Sequence, residues 1–181
     1  TGTDLEWWNA HNSRREFWHA YHGAEFSEIC WDDTLAAQAQ YFADYLAEEC
    51  LVEHDRSRPD PNGYKYCREA GENLAYDSRS NPRSPFETTL AWTDEEFDSS
   101  RDGHFTQVIW RATKFIGCGM ASNPNCSWKN VQVCRYVKYG NCNCQGGDCR
   151  DEMLTDSSLC GTSNVDQTLD DYTTCFENWH E

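Results

Sequence analysis

A chain of 181 residues with a formal charge of −16 cannot neutralise a row of phosphates, which excludes nucleic acid as a partner and argues against adhesion to anionic membranes. Its 11 cysteines lack the paired Cys-x-x-Cys spacing of zinc knuckles, so they point to a secreted, extracellular protein with a disulfide framework. No apolar run approaches the roughly 20 residues that a membrane span needs, while eight Trp, nine Tyr and eight Phe can fill a single core.

Thr1-Gly-Thr-Asp4 carries no signal-peptide pattern, and a mature form with its leader removed is expected. Leu5, Trp8, His11, Asn12, Arg15, Trp18 and Tyr21 or His22 recur at three- and four-residue steps, predicting a helix closed by Gly23. A second helix starts at a cap on Asp32 or Asp33 and shows an apolar stripe of Leu35, Ala36, Ala39, Phe42, Ala43 and Leu46. Cys50 and His54 follow it. Residues 55–70 read as a loop, and Gly71-Glu-Asn-Leu-Ala75 begins a new element. After a second polar loop, Phe86 to Phe97 reads as a third helix, and Gly103 to Trp110 as a helical turn running into a strand. Residues 115–121 and 131–137 look like strands, the second with clear alternation. Helices followed by hairpin-linked strands predict an α+β domain with helices packed on an antiparallel sheet.

Beyond Asn141 the hydrophobic period disappears. From Asp148 to Glu181 nine Asp or Glu face Arg150 alone, a net of −8. The expected organisation is a domain over residues 1–141 and a short acidic extension over 142–181 that disulfides hold down. The odd cysteine count leaves at least one thiol free, bonded to a disulfide-linked partner, or joined to a part of the protein outside this sequence.

Familiar catalytic patterns are missing: there is no His-Glu-x-x-His helix, no Gly-x-Ser-x-Gly elbow and no Gly-rich phosphate loop. What remains is His54 after a helix, Glu72 between Gly and Asn, Glu95 on a helix and His104 before an aromatic stretch. Spacing alone leaves each as an ordinary hydrogen-bonded residue. His11, His19 and His22 read as structural, although His19 and His22 have an i, i+3 spacing that could grip a metal.

The local wording carries more. Gly103-His-Phe-Thr-Gln-Val-Ile-Trp110 resembles the signature of the CAP superfamily, the cysteine-rich secretory, antigen-five and pathogenesis-related class one proteins. His11-Asn-Ser-Arg-Arg15, Trp31-Asp32 with Leu35-Ala36 and Ala39-Gln40, Cys50-Leu-Val-Glu-His54, Gly71-Glu-Asn-Leu-Ala75, Ala91-Trp-Thr-Asp-Glu95, and Cys134-Arg-Tyr136 through Gly140-Asn141 resemble further motifs of that family in the same order.

The resemblance implies a three-layer α-β-α sandwich (the CAP fold) with a large central cleft, followed here by the cysteine-rich acidic extension. It places the family's tetrad on His54, Glu72, Glu95 and His104. His54 and His104 would hold a divalent cation, expected to be zinc, with Glu72 and Glu95 beside them and Gln107 lining the same cleft. It also implies disulfides Cys118 with Cys134 and Cys50 with Cys126. The usual partner position of Cys67 is Tyr136 here, leaving Cys30, Cys142 or Cys144 as its mate. Two departures, Thr93 and Glu96, lie beside the loop that sterol-binding relatives use.

The function expected is that of a secreted, non-enzymatic binding protein, engaging a lipid or sterol or an extracellular protein through the cleft. The alternative is a cation-dependent hydrolase or protease using the same four residues on an activated water.

Overall fold

The computed structural model describes residues 2–55, 70–97, 103–137, 139–141 and 149–155. The chain opens with helix α1 (Gly2–Tyr21), short strand β1 (Cys30–Trp31) and helix α2 (Asp33–Glu49). Strand β2 (Gly71–Asp77), helix α3 (Pro85–Asp94), a 3-10 turn (Glu95–Phe97) and helix α4 (His104–Ile109) follow. Strands β3 (Phe115–Ser122) and β4 (Asn130–Val137) form a hairpin, and helix α5 (Arg150–Met153) comes last.

The termini of these helices follow their sequence. Asp32 caps α2 by accepting from Leu35 N at 2.7 Å, and Cys50 ends it in the left-handed region at φ 53°. Ser84 and Glu87 close a reciprocal capping box on α3 with Pro85 at its first position. Gly23, at φ 72°, turns the chain out of α1.

The four strands lie in the order β1-β3-β4-β2, with β2 on an edge. The expected antiparallel sheet is mixed, because β1 pairs in parallel with β3. Two residues are too few for an alternating pattern, so this strand left no mark in the sequence. Residues 108–110 are a second correction. Val108-Ile-Trp110 has strand-like residues, yet Val108 and Ile109 complete α4 and Trp110 ends it. Buried Arg15 decides the matter by donating to Val108 O at 2.9 Å and Trp110 O at 2.8 Å, which satisfies carbonyls at the end of that helix.

Helix α2 covers one face of the sheet, where Ala39, Phe42, Ala43 and Leu46 pack on Leu74, Val131 and Val133. Its close approach depends on two glycines of β3. A Cβ on Gly117 would lie 2.0 Å from Ala36 N, and one on Gly119 2.3 Å from Gln40 Cα. The opposite face carries α1, α3 and α4, with Trp7, Trp18, Trp92, Phe105, Ile109 and Trp110 packed on Ile116, Cys134 and Tyr136. The result is the three-layer α-β-α arrangement. Both implied disulfides are present: Cys118–Cys134 joins directly opposed residues of β3 and β4, and Cys50–Cys126 ties the end of α2 to their hairpin.

Cys30 and Cys149 are also disulfide-bonded. The other cysteines in question, Cys67, Cys142 and Cys144, lie outside the described residues, as does the extension from residue 156 onward. Where the extension is described, it has an apolar anchor besides its disulfide: Cys149 and Met153 are fully buried in the larger core cluster.

Candidate functional site

The four residues singled out in the sequence form two imidazole–carboxylate pairs. His54 Nδ1 lies 2.7 Å from Glu72 Oε1, and His104 Nδ1 lies 2.8 Å from Glu95 Oε1. An ionised carboxylate only accepts, so in each neutral ring Nδ1 carries the proton and donates. The lone pair of each imidazole is thereby placed on Nε2. Half of the His54 side chain and a third of that of His104 are exposed.

Strand β2 joins the pairs. Glu72 is its second residue and binds His54, while the neighbouring Asn73 donates through Nδ2 to the His104 carbonyl at 3.1 Å. Successive residues of a strand point to opposite faces, so from the edge of the sheet Glu72 reaches the His54 ring and Asn73 the His104 backbone. A Cβ on Gly71, just before them, would lie 2.1 Å from Gln107 Oε1 and would displace that carboxamide. Gln107 does stand one turn after His104, but it is buried. Its Oε1 accepts from Gly140 N at 2.9 Å, so its carboxamide wedges β2 against the segment after β4.

The carboxylate of Glu72 is held far more firmly than that of Glu95. Glu72 pairs in register with Arg135 on β4, whose Nη2 lies 3.1 Å from Glu72 Oε2 and 2.9 Å from Asp55 Oδ2. The Asp55 amide also donates to Glu72 Oε1 at 3.2 Å. Arg135 is 1% exposed and lies over the Phe42 ring, 5.2 Å from its centroid. Glu95 is the C-cap of α3 and the first residue of the 3-10 turn, with 38% of its side chain exposed. The Trp92 ring lies 5.8 Å from that of His104.

A buried relay supports the His104 backbone. His11 Nδ1 is 2.9 Å from the Trp7 carbonyl and must donate to it, so His11 Nε2 accepts from the Tyr136 hydroxyl at 2.9 Å. The Tyr136 oxygen in turn accepts from Asn73 Nδ2 at 3.3 Å. This order requires neutral His11, and burial pushes that imidazole down to about 3, with neighbouring Arg15 adding to the effect. Burial also raises the Tyr136 hydroxyl well above its ordinary range. His19 cannot grip a metal with His22. Its Nε2 donates to Ile109 O and its Nδ1 accepts from Ser27 N, so both ring nitrogens are engaged.

Arg135, Asp55 and Tyr136 were not singled out as site residues from the sequence. One signal was present: in Val131-Gln-Val-Cys-Arg135 a cation stands at an inward-facing position of an alternating strand, which demands a buried partner.

Residues 8–136 match the cysteine-rich secretory protein family, CAP. The chain belongs to that family. Among curated relatives of this CAP domain, "Venom allergen 3" of Solenopsis invicta is 33% identical over 62% of the chain and 53% of its own length. "Fruiting body protein SC7" of Schizophyllum commune is 32% identical over 75% of the chain and 64% of its own length. The chain thus spans about half to two thirds of these relatives. A crystal structure of NaASP2 with Zn2+ superposes with a TM-score of 0.57 at 22% identity over 86% of each chain, a likeness that speaks for the fold. Among the described residues, no three His, Cys, Asp or Glu gather closely enough to hold a metal by themselves. None of the helices is long and apolar enough to cross a membrane, again among the described residues.

Proposed function

We propose that this CAP domain is an extracellular binding module whose cleft takes a divalent cation, zinc in the first instance, through His54 and His104. The observation that carries this reading is the matching state of the two imidazoles: each donates Nδ1–H to a glutamate, leaving Nε2 as the metal-ligating atom. A histidine oriented by a carboxylate on its far nitrogen is the usual support for a zinc ligand, and neutral imidazole suits that ion. The donor set therefore fits. Two protein ligands make an open site of modest affinity.

When bound, the cation supplies a fixed positive charge with positions left for a partner's oxygen donors. The chain's own contribution is orientation: Arg135 and Asp55 hold Glu72, Glu72 holds His54, and Asn73 holds the His104 backbone. The partner would be a lipid or sterol, or an extracellular protein.

Calorimetric titration with zinc tests the reading. The wild-type chain should bind about one equivalent, and the double variant His54→Ala, His104→Ala should lose binding by about 100-fold or more. Equal affinity in both would remove these histidines from the site.

A further inference from the structure

Glu96 follows Glu95 in the 3-10 turn, and its carboxylate is only 10% exposed. Two distant segments converge on it. Arg150 Nη2, on α5, lies 3.1 Å from Glu96 Oε2 and also donates to the Glu96 carbonyl at 3.4 Å. His22 Nε2, just past α1, lies 3.9 Å from Glu96 Oε1, with its ring stacked on Trp18. Helix α5 is itself fixed at both ends. Cys149 and Met153 are fully buried, and the Met153 carbonyl accepts from Arg111 N at 2.7 Å, just beyond the end of α4. One short helix therefore grips the turn that carries Glu95 and the exit of the helix that carries His104.

We propose that Arg150 is a positioning residue, through which the C-terminal segment sets the geometry of the Glu95–His104 pair and so the cation affinity of the site. This rests on the cation reading above. Arg150 lies beyond residue 136, where the family match ends, so the control comes from outside the matched domain. A carboxylate this buried is stable only with its counter-ion. Without the guanidinium, Glu96 relaxes toward water. The 3-10 turn is the element that yields, since its hydrogen-bond geometry is poor. Glu95 moves with it, and the hydrogen bond that holds the His104 tautomer weakens.

The test uses the full chain, with Arg150→Ala, Arg150→Lys and Glu96→Gln. Both contacts that Arg150 makes with Glu96 come from the same nitrogen, so a lysine ammonium can replace them. Two readouts are taken: zinc affinity by calorimetry, and the ring nitrogen signals of His104 in metal-free protein, which report the tautomer. Arg150→Ala should weaken zinc binding by about threefold to tenfold and let the His104 ring exchange between tautomers. Arg150→Lys should restore both. Glu96→Gln, which breaks the ion pair from its other end without removing Arg150, should shift the same His104 signals. Arg150→Ala should add nothing to zinc binding in a Glu95→Ala background. His104 signals unchanged in both Arg150→Ala and Glu96→Gln overturn the proposal. If wild type takes up no zinc while either variant still shifts them, the positioning role stands and the cation reading falls.

Discussion

Glu72 and Arg135 stand directly opposite each other on β2 and β4, and the guanidinium that neutralises Glu72 is almost wholly buried. The site thus rests on an ion pair inside the sheet rather than on surface side chains. In the second pair the carboxylate is the more open one, since Glu95 is 38% exposed against 9% for Glu72. This asymmetry separates the expected effects of substitution.

Arg135→Met should be severe for the whole fold. It strips the counter-ion from two carboxylates, Asp55 and Glu72, that are each less than 10% exposed. Removing one partner of such a pair costs about 3–5 kcal/mol, because the remaining charges stay uncompensated. Urea unfolding followed by fluorescence should show a loss of unfolding free energy of that size. A loss under about 1 kcal/mol would mean that both carboxylates reach water.

Glu72→Gln and Glu95→Gln each replace the charged acceptor that fixes a tautomer with a neutral, weaker one. Each should weaken zinc binding by about 10- to 100-fold, the range for groups that orient a metal ligand. Glu95→Gln should do so with little change in stability, since its carboxylate is 38% exposed. Calorimetry paired with thermal melts separates the two effects, and unchanged affinity in both variants would show that the carboxylates do not act through the histidines.

Glycine substitutions should rank by what they strike. A Cβ at Gly117 meets the backbone of α2, at Ala36 N and Leu35 C, which cannot move without lifting the helix. At Gly71 the nearest atoms belong to the Gln107 side chain, which can rotate away. Gly117→Ala should therefore cost about 3 kcal/mol or more, and Gly71→Ala less, at the low end of overpacking. In Gly71→Ala the Gly140 amide should lose its bond to Gln107 and exchange faster with deuterium. Equal destabilisation of the two variants would contradict this order.

Acid should destabilise the domain through two buried imidazoles. Burial is the main cause that pushes His11 down to about 3 and His19 to about 4, from an ordinary 6.5. Below pH 6.5 the unfolded chain takes up protons there that the folded chain refuses, so stability falls as pH falls. The loss continues until the folded values near 4 and 3 are reached. Each group contributes at most about 1.4 kcal/mol per pH unit within that window. Urea unfolding between pH 7 and 5 should show this slope, and His19→Gln should reduce it by about one proton. A slope unchanged by that variant would assign the acid sensitivity elsewhere.

Much of this was legible along the chain. The stripe from Leu35 to Leu46 marked α2 because an amphipathic helix repeats its apolar positions every three or four residues, whatever it packs on. β2 was harder to assign, since Gly71-Glu-Asn lacks alternation and becomes a strand only by pairing with β4. Val108-Ile-Trp110 was misread because side-chain preference favours a strand, while the buried Arg15 guanidinium rewards helical carbonyls.

The sequence by itself determined the family, because motif wording is a local property; the resemblance in turn pointed to His54, Glu72, Glu95 and His104 and implied the two disulfide pairings that the structure shows. Tertiary structure alone decided that Glu72 takes His54 and Glu95 takes His104, that Arg135 and Asp55 lock the first pair, and that Arg150 braces the second. Hydrogen bonds and ion pairs depend on distances of about 3 Å. For residues as far apart in the chain as Glu72 and Arg135, or Glu96 and Arg150, only the packing of helices on the sheet sets that distance.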